Sequence, residues 1–155
     1  MISPELLRYY PFFHSLDDTQ LRAVATIAEE ETVEAGVTLF SEGQPAEVLY
    51  FLEDGHVDLY HTIGETNPSD VRKWISVGEI NPGEPFSISV LIEPYILSST
   101  ARVSRPSRII KIEAKLLRTL FEKDHKLAYL LTYKAAKAVI ERLHTTHIQL
   151  AAVWA

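Results

Sequence analysis

The sequence contains no cysteine among its 155 residues. This absence excludes disulfide scaffolds, thiolate zinc sites, iron–sulfur clusters and cysteine nucleophiles, and it is compatible with a reducing compartment. No apolar run approaches the roughly 18 residues that a membrane-spanning helix needs. The N-terminus also lacks the basic and apolar regions of a signal peptide. We therefore expect a cytoplasmic protein that has no membrane partner.

Motifs of the common enzyme classes are missing as well. The sequence has no Gly-x-Ser-x-Gly motif, no P-loop and no Gly-x-Gly-x-x-Gly. Six histidines are present, and two pairs are closely spaced: His144 with His147, and His56 with His61. Neither pair has an obvious third ligand at supporting spacing. We predict no metal site, no cofactor and no catalytic activity.

The composition, with 46% apolar and 23% charged residues, is that of an ordinary globular domain spanning 1–155. The net charge of −6 is unevenly distributed. Residues 1–35 carry seven acidic and two basic side chains, residues 36–95 carry ten and two, and residues 96–155 carry four and eleven. An acidic protein is a poor non-specific nucleic-acid binder. The basic last third could receive a phosphate, contact an acidic partner or complement the acidic body.

Short apolar runs alternate with turn residues between residues 31 and 113, which predicts many antiparallel strands in a barrel or sandwich. The dipeptide Asp54-Gly55 favours a tight hairpin turn, because glycine readily adopts positive φ. A second turn is predicted at 104–107, between two short strands, and a polar loop at 64–70.

Helical periodicity flanks this β region on both sides. Residues 1–30 form an N-terminal helical part, in which Asp17 and Asp18 stand near a helix start. Residues 114–155 form a C-terminal part, with a short helix at 114–121 and a long helix at 126–153. The long helix exceeds what a domain of this size needs, so it either packs on the barrel or forms a dimer seam. Its apolar stripe contains Leu131, Ala135, Val139 and Leu143.

Glycines and strand residues recur in a pattern that resembles one known family. The pattern consists of Gly36, Leu39-Phe40-x-x-Gly43, Leu49-Tyr50-Phe51-Leu52-x-x-Gly55-x-Val57, Pro82-Gly83-Glu84 and Ser98-Ser99-Thr100-Ala101. With the flanking helices, it resembles the cyclic nucleotide-binding domain family, which includes catabolite-activator-type regulators and regulatory subunits of protein kinase A. The resemblance covers nearly the whole chain. It implies a mostly β fold, an antiparallel β jelly-roll barrel with an N-terminal helix, a short C-terminal helix and a long C-terminal helix.

The resemblance also implies a phosphate-binding cassette. In the family, a short helix presents backbone N–H groups to a cyclic phosphate, a glutamate accepts from the ribose hydroxyl, and an arginine contacts the phosphate. Glu84 matches the glutamate, whereas Leu97 stands at the place of the arginine. Arg102 is the candidate substitute, because it lies two residues beyond Thr100 on the same predicted strand. The candidate ligand-binding residues are Gly83, Glu84, Ser98, Ser99, Thr100 and Arg102.

Two functions follow from the resemblance. The first is a non-catalytic sensory module that binds cAMP, cGMP or a related phosphate ligand and relays this through the C-terminal helix. The alternative is a degenerate domain that no longer binds nucleotide and acts in dimerisation or protein docking. Both include a homodimer through the 126–153 helix. The chain ends at Ala155, without the roughly 60–80 residues of a winged helix-turn-helix, so we expect no direct DNA binding.

Overall fold

The fold is an antiparallel β sheet with flanking helices, and the computed structural model describes residues 1–63 and 73–155. The polar loop predicted at 64–70 lies outside the described residues. None of the helices in the described ranges has the length and apolar character needed to span a bilayer. The elements are α1 (Pro4–Arg8), α2 (Asp18–Ile27), β1 (Ala28–Val33), β2 (Thr38–Phe40), β3 (Val48–Thr62), β4 (Trp74–Ile80), β5 (Pro85–Phe86), β6 (Thr100–Glu113), α3 (Ala114–Lys123) and α4 (His125–Trp154).

The strands form one antiparallel sheet in the order β1-β6-β3-β4. The short strand β2 pairs with β6, and β5 pairs with β3. One apolar cluster, which includes Leu52, Ile80 and Ile109, lies inside the curved sheet. A second cluster, which includes Phe13 and Leu117, lies between the sheet and the helices. This arrangement is jelly-roll-like, and it confirms the predicted fold class.

The predicted turns at Asp54-Gly55 and at 104–107 are wrong, because β3 and β6 each continue through them. The pairing register shifts at three points between Leu52 and Val57, so the turn residues form bulges that bend the strand. Gly55 has a φ of +109°, which glycine adopts without strain. A Cβ on Gly55 would lie 2.1 Å from Oγ of Ser107 on the neighbouring strand. Gly55 therefore allows two strands to approach closely, because it has no Cβ. The chain does not reverse its direction at this position.

The predicted helices are present with nearly the expected limits. Asp17 caps α2, because its carboxylate accepts from the Gln20 N–H while the Gln20 side chain accepts from the Asp17 N–H. Asp124 separates α3 from α4, and its carboxylate accepts from the Leu127 N–H at 3.0 Å. The Gln20 side chain also donates to Asp124 at 3.3 Å, which connects α2 to the start of α4.

The long helix α4 is packed at its start and exposed at its end. Of the predicted stripe, Leu131 and Ala135 are buried, whereas Val139 and Leu143 are about half exposed. The first half of the helix therefore packs on the body of the molecule. The second half presents a set of exposed apolar side chains, which are Ile140, Ile148, Leu150, Val153 and Trp154.

A buried carboxyl group connects the N-terminal segment to the sheet. The Glu53 side chain on β3 is only 1% exposed. Its Oε2 accepts from Arg108 Nε at 3.2 Å and from the Tyr10 hydroxyl at 3.5 Å, while Oε1 has no partner among the described residues. Burial, supported by the neighbouring Glu30, raises the pKa of Glu53 to about 7.

We expect Gly55→Ala to lower the free energy of unfolding by about 2–4 kcal/mol, because the new Cβ meets Ser107 and the backbone keeps a positive φ. The matched control is Gly43→Ala, whose φ is +85° and whose Cβ would meet nothing within 4 Å. This control should lose only about 1–2 kcal/mol. Urea unfolding measures both, and equal losses would show that the contact with Ser107 is unimportant.

We expect stability to fall as pH rises from about 4.5 to about 7. In this window the folded protein keeps a proton on Glu53 that the unfolded chain has lost, so the slope is negative and at most about 1.4 kcal/mol per pH unit. Glu53→Gln should remove this part of the slope, whereas the exposed control Glu122→Gln should retain it. Denaturant unfolding at several pH values tests this, and an unchanged slope in Glu53→Gln would refute it.

Candidate functional site

A cavity of about 520 Å³ lies between the sheet and α4. This volume is in the range of sites for small molecules. The segment 87–99 contributes most of its lining, and Phe40, Leu59 and Phe86 contribute from the strands. The residues of α4 that line it are Val139, Arg142, Leu143 and Thr146.

The segment before the cavity is anchored to β3 by backbone hydrogen bonds. Gly83 N–H donates to the Leu52 carbonyl at 2.8 Å, and Leu52 N–H donates to the Glu84 carbonyl at 3.0 Å. After β5, Ser87 adopts a left-handed conformation with φ of 63° and is buried. A single 3₁₀ turn, Ile88–Leu91, follows. The resemblance implied a short helix at this place, and the chain forms only one turn.

The lining is apolar with a few polar groups. Four serine hydroxyls, one threonine and two charged side chains interrupt an otherwise apolar wall. Leu97, at the family's arginine position, is buried and lies in this wall. The charged residues are Glu93 from the segment 87–99 and Arg142 from α4.

Arg142 is the cation of this cavity, and its guanidinium group has few partners. One Nη donates to the Pro85 carbonyl at 2.8 Å and lies 3.9 Å from a Glu84 carboxylate oxygen. Its buried Nε has no partner among the described residues. Burial lowers the pKa of Arg142, and the Glu84 charge opposes that shift. The Arg142 side chain is 22% exposed, but its Nε is buried, and a buried N–H donor without an acceptor is costly.

Glu84 lies beside this arginine but does not line the main cavity. Its Oε1 accepts from the Asn81 N–H at 2.6 Å, so the carboxylate closes the turn that contains Gly83. Gly83 has a φ of +92° in this turn. Glu84 borders a smaller cavity of about 250 Å³, and Arg142 and Thr146 border both cavities.

The other predicted ligand-binding residues divide into two groups. Ser98 and Ser99 line the main cavity. Thr100 is buried, and its hydroxyl accepts from the Glu42 N–H at 2.9 Å. Arg102 pairs with Asp58 on β3, whereas Leu59, the next residue of β3, lines the cavity. Because side chains alternate along a strand, Arg102 faces away from the cavity. The structure therefore brings neither Thr100 nor Arg102 to the cavity lining.

Arg142, Ser87 and Ser89 also line the cavity, although the sequence motifs did not point to them. A signal for Arg142 was available, since it lies seven residues after Ala135 and three after Val139. Helical periodicity places residues at these spacings on the same face. Nothing in the sequence pattern distinguished the two serines.

Comparison with known proteins identifies the family. The family model described as "Cyclic nucleotide-binding domain" matches residues 30–124, and the chain belongs to this family. A crystal structure of a candidate cyclic nucleotide-binding protein from Geobacter metallireducens is 38% identical, with a TM-score of 0.81 over 93% of this chain and 100% of that one.

Two further relatives come from longer proteins. The regulatory subunit of cAMP-dependent protein kinase from Aspergillus niger is 32% identical over 48% of this chain and 18% of its own length. The regulatory domain of Toxoplasma gondii protein kinase A, crystallised with cAMP, has a TM-score of 0.69 at 19% identity, covering 86% of this chain and 48% of that one. At this identity the likeness concerns the fold alone. The chain spans less than a third of the length of the curated relatives that it matches.

Proposed function

We propose that this chain is a non-catalytic regulatory module that binds a small phosphate-bearing ligand, a cyclic nucleotide such as cAMP or cGMP, in the cavity beneath α4. The observation that carries the proposal is the Arg142 guanidinium, which borders the cavity with a buried and unused Nε donor. An arginine can bind a phosphate through two parallel hydrogen bonds, and such contacts are strong where water is excluded.

The rest of the cavity suits the other parts of a nucleotide. Phe40 and Phe86 supply aromatic surface on which a base can pack. Ser98 and Ser99 supply hydroxyl donors in the same wall. Glu84 lies next to Arg142, where its carboxylate can accept from a ribose hydroxyl if the turn around it adjusts. The family membership of the chain supports the same ligand class.

This arrangement makes α4 the natural relay element. Arg142 is carried by α4, whereas the serines belong to the segment 87–99. A ligand that contacts both stabilises the position of the helix in which these contacts can be made. The population shift can be only as large as the difference in affinity between the two helix positions.

We expect cAMP or cGMP, at a hundred times its dissociation constant, to stabilise the protein by about 2.7 kcal/mol, which raises Tm by roughly 5–11 °C. Arg142→Ala should abolish most of this shift, and Arg142→Lys should keep a part of it because the charge remains. A thermal-shift titration measures all variants, with linear AMP as the ligand control.

The matched variant is Arg102→Ala, which removes an arginine from the opposite face of the sheet and should respond like the parent protein. If the ligand-induced rise in Tm persists in Arg142→Ala and is lost in Arg102→Ala, the binding site lies on the other face of the sheet. Flat curves for every nucleotide would refute nucleotide binding and favour the second candidate function.

The second candidate is a dimerisation or docking module that has lost nucleotide binding. The observation that favours it is the exposed apolar surface on the second half of α4, where Trp154 is 82% and Val153 79% exposed. Apolar side chains clustered on one exposed helix commonly mark a protein contact. A homodimer through α4 is compatible with both candidate functions.

We expect the protein to sediment as a dimer, and the pair of changes Ile140→Glu and Leu150→Glu to shift it to the monomer. Buried carboxylates without partners would oppose association at an apolar seam. Glu141→Gln on the same helix is the control and should leave the dimer intact. Analytical ultracentrifugation over a concentration series measures this, and a parent protein that stays monomeric throughout would refute the homodimer.

A further inference from the structure

A histidine and two carboxylates converge on the outer face of β3 and β4. His56 and Asp58 lie two residues apart on β3, so their side chains point to the same face of the strand. Glu79 lies directly opposite Asp58 on β4. One potential ligand atom from each residue lies within 4.8 Å of the other two. This cluster is separate from the cavity lining that contains Ser98 and Ser99.

The two distances from His56 to the carboxylates are slightly shorter than those between the ligands of a metal ion. His56 Nε2 lies 3.0 Å from an Asp58 carboxylate oxygen and 3.2 Å from a Glu79 carboxylate oxygen. Metal–ligand bonds of about 2.0–2.1 Å separate tetrahedral ligands by roughly 3.3–3.4 Å. A small rotation of the exposed Glu79 side chain and a slight widening of the His56–Asp58 contact would accommodate an ion between the three atoms.

The backbone holds these residues in place. The strands are joined by register pairs on both sides of the cluster, Val57 with Ile80 and Leu59 with Gly78. On the other side of β3, His56 N–H donates to the Ser107 hydroxyl at 3.0 Å. A preformed backbone reduces the entropy that metal binding costs.

The donor set selects a type of metal. One imidazole nitrogen and two carboxylate oxygens suit a borderline divalent transition metal such as Zn²⁺, whereas Mg²⁺ and Ca²⁺ prefer oxygen ligands alone. His56 and Asp58 are half buried and Glu79 is exposed, so an ion can enter from solvent. Arg102 and Arg105 on β6 face Asp58 and His56 across the strand pairs, and Arg105 donates to the Gly55 carbonyl at 3.2 Å.

We propose that His56, Asp58 and Glu79 form a binding site for one Zn²⁺-type transition-metal ion that joins β4 to β3. The three protein ligands leave at least one coordination position to water. Glu79 also borders the smaller cavity next to Glu84 and Arg142, so the ion would brace the strand beneath that part of α4. This proposal is independent of nucleotide binding.

The experiment is a titration of the full, untagged chain with ZnCl₂, followed by calorimetry and by amide chemical shifts. We expect one ion per chain, with shift changes centred on residues 56–58 and 78–80, and no binding of Mg²⁺ at the same concentration. Glu79→Gln and His56→Ala should each weaken binding by at least about tenfold. Glu79 is exposed, so Glu79→Gln keeps the test valid even if His56→Ala folds poorly.

The control is a double variant, His144→Ala with His147→Ala, which removes the closely spaced histidines of α4 and should bind Zn²⁺ like the parent protein. The proposal is overturned by an absence of stoichiometric binding, by unchanged affinity in Glu79→Gln, or by loss of binding in the control. In the last case the ion would belong to α4, and the three side chains of the sheet would be only an ion-paired cluster.

Discussion

β3 and β6 pair along almost their whole length, from Val48 with Glu113 at one end to Tyr60 with Thr100 at the other. Each of the other strands that the structure describes pairs with one of these two: β1 and β2 pair with β6, and β4 and β5 pair with β3. The bulges within the ladder bend both strands, which gives the sheet an inside where an apolar cluster can be buried. The bends in these two strands therefore contribute to the curvature that encloses the interior of the domain.

The pairing of β3 with β6 also determines the position of the candidate site. α3 begins immediately after β6 at Ala114, so the end of the strand fixes where the C-terminal helices start. Asp124 then begins α4 and is connected to α2 through Gln20. From this start, α4 passes the segment 87–99 and carries Arg142 to the Pro85 carbonyl. The cavity is thus bounded by the segment 87–99 and by α4, which are distant in sequence. The paired strands β3 and β6 connect them.

Signals from residues close together in the sequence predicted the features of the fold that depend on short-range interactions. The helix start near Asp17 and Asp18, the approximate limits of α4 and the β character of the middle region follow from neighbouring residues, and the structure confirms them. The continuity of β3 could not be predicted, because Asp54-Gly55 has the same local preference in a turn and in a bulge. Which one forms depends on the pairing of β3 with β6, the strand whose Ser107 lies against Gly55.

In the candidate site, too, contacts between residues distant in sequence could not be predicted. Glu84 and the serines could be located because a family pattern surrounds them, although their roles in binding remain predictions. Arg102 was a reasonable substitute by spacing, but the strand register that turns it away from the cavity depends on Asp58 and Leu59 on β3. Helical periodicity could have placed Arg142 on the packed face of α4, but its contact with Pro85, 57 residues away, depends on the packing of α4 against the body.

The contacts of Arg142 also have a consequence for sensitivity. The Pro85 carbonyl and the Glu84 carboxylate both lie against one Nη of the guanidinium group, so they would compete with the phosphate of the proposed ligand. The apparent affinity for the ligand would then equal the intrinsic affinity multiplied by the fraction of molecules in which these contacts are open. In the proposed module, a substitution at Glu84 would therefore change the ligand concentration needed for binding without altering a residue that lines the main cavity.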